Sequence, residues 1–389
     1  MKLSILTILF TIYTLLMGCA NTDIKKITAN EFTIEEDEKR LWQNSKKEQE
    51  KLNQSEILYR DKDLKNYIDA VVSRLIRHEV YEKIAIEVHI IKNPYLNAFA
   101  FPNGSIYIHT GILAKINNEA ELALLIAHEI IHITNRHALK SFRNFKNKSA
   151  VFAGINSTLG GLVLPSMLGE IGTKAAITGY SRDIEREADI EGIILTQKAG
   201  YNIEEGAKLF IHLKKEREEE NIKEPFFFGT HPRIKERIEN YDEFIKSNPE
   251  QSAEGEINKE IFLPKTLKLI LFNVKLDQKL GRFDNAHNGI KKYLSMDPTN
   301  AEAYYILGEN YRQQDSKNIE QAKENYLIAS TLDPSYSEPH KRLGMIFYKS
   351  GEDELALIHL KSYLNLSPEA DDKAYIELYV RELNKGESH

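Results

Sequence analysis

The chain has 389 residues, of which 42% are hydrophobic and 28% are charged, and its formal net charge is −6. This composition is typical of a folded globular protein and excludes a largely disordered or collagen-like chain. Charges of both signs are mixed along the sequence, so no basic stripe is available and we expect no nucleic-acid partner.

The N-terminal segment is typical of a bacterial export signal. Lys2 precedes an uncharged and mostly apolar stretch at residues 3–17, which suits a signal peptide better than a membrane span of about 20 residues. The run Leu16-Met17-Gly18-Cys19 resembles a lipobox, in which the cysteine is lipid-modified after cleavage. The sequence therefore predicts a lipoprotein signal peptide at 1–18 and a tether at 19–34. An ordinary signal sequence that happens to contain a cysteine is the alternative.

The next part of the chain predicts helices around a small sheet. Hydrophobic spacing predicts helices, alternation predicts strands, and Pro102-Asn103-Gly104 predicts a tight turn between two of those strands. The predicted helices are residues 35–52, 55–78 and 117–136, and the predicted strands are residues 84–91, 98–101 and 105–109. The segment at 98–101 is interpreted either as an edge strand for substrate or as core.

The helix at 117–136 contains the run His128-Glu129-Ile130-Ile131-His132. Two histidines four positions apart on a helix are separated by about 400°, so both imidazoles point to one side and can share a metal ion. In such sites zinc activates a water molecule, and the intervening glutamate takes its proton. The motif predicts one zinc ion per chain with Glu129 as general base. A buried apolar helix that holds these polar residues by chance is the alternative.

A third ligand has to come from elsewhere in the chain. His137 is turned about 140° away from His132 on a continuous helix and is not expected to reach the same metal. A later helix, at 181–200, carries Glu185 and Asp189 on one face. Glu185 can ligate zinc, and Asp189 can accept a hydrogen bond from the outer nitrogen of a ligating histidine. A solvated charged helix surface is the alternative.

The two motifs together resemble the metallopeptidase family that includes HtpX, BepA and the CAAX prenyl endopeptidases. The second motif is Ser-Arg-x-x-Glu-x-x-Ala-Asp at 181–189, and further matches lie at 97–104, at 110–113 and at Thr230-His231-Pro232 with Arg237. The resemblance spans residues 55–245. It implies that Glu185 is the third zinc ligand, that Asp189 supports a ligating histidine, and that His231 is a regulatory fourth ligand. A structural histidine in a turn is the alternative for His231.

The C-terminal part of the chain predicts a repeat array. Alanines at 286, 322 and 356 and prolines at 298, 334 and 368 recur together, and Gly308 and Gly344 occupy matching places between them. This pattern is typical of tetratricopeptide repeats, which bind protein partners. We predict three repeats and a capping helix at 263–389, after a linker at 249–262. The charge-free stretch at 149–169 predicts a buried or lid-like segment beside the active site.

The expected fold class is α+β and mainly helical. It comprises a zincin-like metalloprotease domain with a small β-sheet at 35–248, followed by an α-solenoid of tetratricopeptide repeats. The resemblance implies a periplasmic zinc endopeptidase that acts on misfolded or misassembled envelope proteins. Lipid on Cys19 would anchor it to a membrane, and the absence of an aspartate at position 20, where Ala20 stands, favours the outer membrane. The alternative function is a repeat scaffold or chaperone for outer-membrane assembly with a closed or vestigial metal site.

Overall fold

The computed structural model describes residues 24–76, 83–146, 180–220, 231 and 234–386. The chain divides into two compact units, Met1–Lys265 and Thr266–His389. The predicted signal peptide, Cys19 and the charge-free stretch at 149–169 lie outside the described residues. Among the described helices, none is long and apolar enough to cross a membrane.

The first unit is mostly helical and contains one small sheet. Its helices are α1 (Glu36–Gln54), α2 (Lys62–Leu75), α3 (Thr110–Lys115), α4 (Glu119–Thr134), α5 (residues 137–146), α6 (Arg182–Lys198), α7 (Ile203–Glu220), α8 (Ile234–Ser247) and α9 (Pro249–Ala253). Its strands are β1 (Glu87–Ile91), β2 (Ala98–Ala100) and β3 (Ser105–His109). These helices and the single small sheet confirm the prediction of a mainly helical α+β unit.

The sheet has the order β1-β3-β2, so β2 is an outer strand. β1 runs parallel to β3, and β2 forms the predicted hairpin with β3. The hairpin turn needs glycine at Gly104, because the residue has a φ of 100° and an added Cβ would lie 2.0 Å from the Ala85 carbonyl oxygen. β2 contacts α4, which places this edge of the sheet beside the helix that carries the metal-binding motif.

Helix α4 is buried along its entire length. A helix that is apolar on most sides is expected at the centre of a domain, and here α2, α6, α7 and β2 all contact it. Its N-terminus is capped twice, because the Asn118 side chain accepts from the Glu121 amide at 2.9 Å and the Ile257 carbonyl accepts from the Glu119 amide at 3.1 Å. It ends before Arg136, which adopts the left-handed conformation with a φ of 57°.

One helix begins later than predicted, and the predicted linker contains a short helix. The helix predicted at 55–78 begins only at Lys62, because the Asp61 side chain accepts from the Asp63 and Leu64 amides and starts the helix there. The preceding residues are extended, and Leu58 bridges to Ile91 of β1. The segment predicted as a linker, residues 249–262, lies within the first unit, where it contains α9 and the Ile257 carbonyl that caps α4.

The second unit is a succession of helices that pack on their neighbours in sequence. Helix α10 (Lys259–Lys279) crosses the division between the units, and α11 (Phe283–Met296), α12 (Ala301–Gln314), α13 (Ile319–Leu332), α14 (Ser337–Ser350), α15 (Asp353–Leu366) and α16 (Lys373–Gly386) follow it. Glycines permit the close approaches: a Cβ on Gly308 would lie 2.5 Å from a Tyr326 ring carbon, and one on Gly344 would lie 2.6 Å from Leu360. The assignment of these helices to tetratricopeptide repeats stays a prediction.

Candidate metal centre

Helix α4 presents three polar side chains to one point inside the first unit. His128, Glu129 and His132 are each no more than 2% exposed. The Nε2 atoms of His128 and His132 lie 2.9 Å apart, as the four-residue spacing predicts. Burying these groups together is costly unless a partner compensates for their lost hydration, so the arrangement calls for a ligand.

Helix α6 brings a carboxylate to the same point. Glu185 places one carboxylate oxygen 3.5 Å from His132 Nε2 and the other 3.6 Å from His128 Nε2. The two helices approach closely at Gly192, where an added Cβ would lie 3.3 Å from the His128 Cα and backbone nitrogen. The absence of a side chain at Gly192 therefore sets the helix separation that brings Glu185 to the histidines.

His231 supplies a fourth donor atom. Its Nδ1 lies 3.2 Å from His128 Nε2 and 3.1 Å from Glu185 Oε1, and its Nε2 lies 3.3 Å from Glu129 Oε1. The donor atoms of His128, His132, Glu185 and His231 all lie within 4.8 Å of one another, and all four residues are buried. The structure thus brings together every residue for which the sequence predicted a metal contact.

The donor set fits a metal ion of the size of zinc. In a tetrahedral site with bonds of about 2.0–2.1 Å, neighbouring donor atoms lie about 3.3 Å apart. Here five of the six pairs of residues have separations of 2.9 to 3.6 Å, with either Glu185 oxygen counted, and the whole set lies within 4.8 Å. Three imidazoles and a carboxylate are also the ligand types that zinc accepts.

The electrostatics of the cluster favour a cation. Burial, together with the Arg237 guanidinium, holds the pKa of His128 well below its usual value, and burial together with His128 does the same for His132. Both imidazoles are therefore neutral and offer lone pairs. Burial opposes charge on His231 as well, but the carboxylates of Glu185 and Glu129 raise its pKa to about 10. These carboxylates create a site for positive charge.

Asp189 lies behind His128, as predicted. One of its carboxylate oxygens is 3.0 Å from His128 Nδ1, the nitrogen that points away from the donor cluster. Arg237 from α8 holds this carboxylate, since its Nε donates to Asp189 Oδ2 at 3.0 Å and its terminal nitrogen donates to Oδ1 at 2.6 Å. Burial raises the pKa of Asp189, and Arg237 opposes that rise. Asp189 is thus a buried and tightly bound acceptor that can fix the orientation of His128.

The other face of the site contains groups whose roles the motifs did not indicate. The Tyr180 ring stacks on His132, with ring centroids 4.2 Å apart and planes 15° apart. His137 Nδ1 lies 2.9 Å from His132 Nδ1. Arg237 was identified from the sequence only as part of a family match, and no partner was predicted for it. Its position six residues after His231 was the available signal for it.

Comparison with known proteins places this site in a family. Residues 62–245 match the model of Peptidase family M48. A putative beta-barrel assembly-enhancing protease of Vibrio cholerae is 31% identical over 208 residues, which are 51% of this chain and 42% of that protein. The beta-barrel assembly-enhancing protease of Escherichia coli K12 is 26% identical over 226 residues, 56% of this chain and 45% of that protein.

Another relative is the mitochondrial metalloendopeptidase OMA1 of Schizosaccharomyces pombe, 28% identical over 181 residues, 46% of this chain and 52% of that protein. The chain therefore spans about half the length of these relatives. The family predicted from the two motifs is confirmed for the part of the chain that contains them. Residues 62–245 form a metallopeptidase domain that belongs to peptidase family M48.

Proposed function

We propose that the protein is a zinc-dependent endopeptidase in which His128, His132 and Glu185 bind the metal and Glu129 is the general base. The observation that carries this proposal is the convergence of four buried donor atoms beside a buried carboxylate. Zinc bound there would supply Lewis acidity toward a water molecule and a peptide carbonyl. The Glu129 carboxylate removes a proton from the attacking water and returns it to the leaving amine.

His231 is proposed to hold the site closed. A catalytic zinc site keeps one position open for water, whereas a structural site fills all four with protein ligands. In this structure His231 Nδ1 lies 3.2 Å from His128 Nε2 and 3.1 Å from Glu185 Oε1, so it would take the fourth position on a bound metal, and its Nε2 lies 3.3 Å from Glu129 Oε1. The side chain therefore competes for both the place of the water and the general base, and catalysis requires it to move aside.

Strand β2 is proposed to bind the substrate backbone. It is an outer strand of the sheet and contacts α4, so a peptide that adds to its edge passes beside the metal cluster. Recognition through main-chain hydrogen bonds requires an extended substrate segment. This requirement favours unfolded or misassembled proteins over compact folded ones.

The proposed location is the bacterial periplasm, with lipid on Cys19 anchoring the chain to the outer membrane. The relatives named for enhancing beta-barrel assembly support a role in envelope protein quality control. Residues 263–389 are proposed to be tetratricopeptide repeats that bind a protein partner. Labelling of cells with a radioactive fatty acid tests the anchor, because label should enter the wild-type chain and be absent from Cys19→Ser.

The enzymatic proposal is tested by metal content and cleavage. Purified protein should contain one zinc per chain and should cleave an unfolded protein in a metal-dependent way. Glu129→Gln should lower the cleavage rate by about 10²–10⁴-fold, which is the range for loss of a general base. Glu121→Gln is the matched control, because Glu121 is a fully buried glutamate on the same helix outside the donor cluster. Cleavage that survives Glu129→Gln contradicts the mechanism.

The closed state is tested by removing His231. His231→Ala should raise the rate of cleavage and leave zinc bound, because three protein ligands remain. His212→Ala is the control, since His212 lies on α7 beside Glu121 rather than in the donor cluster. A fall in activity for His231→Ala would show that the side chain assists catalysis. Zinc binding without cleavage in either protein would favour the alternative of a repeat scaffold with a vestigial site.

A further inference from the structure

His137 lies beside the donor cluster but is not a member of it. Its ring is fully buried, and its Nδ1 lies 2.9 Å from Nδ1 of His132, the nitrogen that faces away from the cluster. The two rings meet edge to face, with centroids 4.9 Å apart and planes 77° apart. His137 therefore occupies, for His132, the place that Asp189 occupies for His128.

A break in the helix creates this contact. On a continuous helix a residue five positions after His132 would point about 140° away from it. Instead Arg136 adopts a φ of 57°, α4 ends, and a new helix starts at His137. Left-handed backbone at a residue other than glycine is uncommon and persists only where its surroundings impose it. Such an outlier next to a buried polar contact points to a functional constraint.

The side chain of Arg136 holds this backbone in place. It is 5% exposed, and its Nε donates to Glu38 Oε1 at 2.8 Å while a terminal nitrogen donates to the Lys25 carbonyl at 3.0 Å. The guanidinium thus ties the break to α1 and to the N-terminal segment. A glycine would adopt the same φ more easily, so the arginine indicates that the break is fixed rather than merely permitted.

Glu187 stands at the far side of His137. Its Oε2 lies 3.4 Å from His137 Nε2 and 3.4 Å from Lys140 Nζ. Its other oxygen accepts from the Asn135 side chain at 2.7 Å. Glu187 is on α6, two positions before Asp189, so one helix supplies both the acid beside His128 and the acid beside His137.

The hydrogen positions follow from the chemistry of ligation. A histidine that binds a metal through Nε2 must carry its hydrogen on Nδ1, so His132 donates to His137 Nδ1. His137 must then carry its own hydrogen on Nε2, the nitrogen that lies 3.4 Å from a carboxylate oxygen of Glu187. We propose that His137 and Glu187 are positioning residues that fix the tautomer and ring orientation of His132. This inference rests on the ligand assignment of the proposed function.

The test uses the full chain and measures zinc affinity by competition with a chelator. His137→Leu should weaken zinc binding by about 10–100-fold, the usual cost of losing a group that orients a ligand. His137→Asn, which keeps an acceptor oxygen near the place of Nδ1, should recover part of that loss. Glu187→Gln should cause a smaller loss in the same direction.

A second readout separates positioning from a general loss of structure. In the zinc-loaded protein with ¹⁵N-labelled histidine, NMR should show His132 as a single Nδ1–H tautomer in the wild type and a mixed or shifted signal in His137→Leu. His109→Leu is the matched control, because His109 is buried and its Nδ1 bonds the Tyr95 carbonyl instead of a ligand. It should lower stability without changing zinc affinity or the His132 signal.

A folded His137→Leu protein with zinc affinity within twofold of the wild type and an unchanged His132 signal would overturn the inference. If that variant does not fold, wild-type affinity in both His137→Asn and Glu187→Gln would overturn it equally. Neither readout requires peptide cleavage. A wild-type chain that binds zinc but cleaves no protein would therefore count against the proposed function and leave this test intact.

Discussion

Each unit of the chain contains a close pair of histidines, and the two pairs differ in what surrounds them. In the first unit the Nε2 atoms of His128 and His132 lie 2.9 Å apart, and in the second the Nδ1 atoms of His340 and His359 lie 3.0 Å apart. Among the described residues, only the first pair belongs to a group of three or more donors that could hold a metal ion.

The difference shows that close histidines do not make a metal site by themselves. His128 and His132 share their position with Glu185 and are backed by Asp189. His340 and His359 instead bond each other, and His359 stacks on Phe347 with ring centroids 5.5 Å apart. The second pair needs no cation, because one imidazole donates and the other accepts. Convergent carboxylates distinguish a site from a packed pair.

The largest expected effect comes from removing the carboxylate from the first pair. Glu185→Gln should weaken zinc binding by more than the 10–100-fold that loss of an orienting group costs, because a metal ligand itself is lost. Elemental analysis after dialysis against a chelator measures this. His359→Gln, the matched change at the second pair, should leave the zinc content at one per chain. Equal zinc loss from both proteins would contradict the distinction.

A smaller effect should follow from adding one methyl group at a helix contact in each unit. Gly192→Ala presses on the His128 backbone at 3.3 Å, and Gly308→Ala presses on the Tyr326 ring and on the Ala322 carbonyl oxygen at 3.1 Å. Overpacking costs about 1–3 kcal/mol, partly offset by the helix propensity of alanine, about 1 kcal/mol.

The two glycine variants should differ in zinc affinity and in hydrogen exchange, because each affects only its own unit. Gly192→Ala should lower zinc affinity, measured with a chelator, because it moves α6 and its Glu185 away from α4. Gly308→Ala should leave zinc affinity unchanged and increase hydrogen exchange in peptides from residues 301–332. Zinc affinity that falls in Gly308→Ala and not in Gly192→Ala would show that the helix spacing at Gly192 does not control the site.

The smallest effect is a dependence of stability on pH in the second unit. Burial and the neighbouring His340 lower the pKa of His359 to about 4, below its usual 6.5. The unfolded chain therefore binds more protons between about pH 6.5 and pH 4, so the free energy of unfolding falls as the pH falls through this window. Hydrogen exchange of residues 337–366 should speed up accordingly. In His359→Gln this dependence should be weaker, and an unchanged dependence would contradict the assignment.

The sequence predicted the metal-binding residues better than the contacts that hold these residues in place. Local spacing was enough to propose His128 and His132, because four-residue separation on a helix fixes which side chains share a face. Glu185 was a candidate from its own helix, and the resemblance to a family was needed to propose it as the third ligand. The starting point of α2 was predicted wrongly although Asp61 gives a capping signal. The break at Arg136 could not be predicted, since a non-glycine residue becomes left-handed only through tertiary contacts such as that with Glu38.

The roles of His137 and Arg237 were missed for the same reason. Each acts on a residue far from it along the chain or across a helix break, and such contacts leave no periodic pattern. For residues 263–389 the periodicity of alanine, glycine and proline predicted helical packing that the structure contains at Gly308 and Gly344. The assignment of these helices to tetratricopeptide repeats remains a prediction.

The segment between α8 and α10 supports the N-terminus of α4. The Ile257 carbonyl accepts from the first amide of α4, and the Asn258 side chain donates to Glu119 at 3.1 Å. A peptidase unit cut after residue 248 would lose this cap, so we propose that a peptidase unit made for experiments should extend to Lys265.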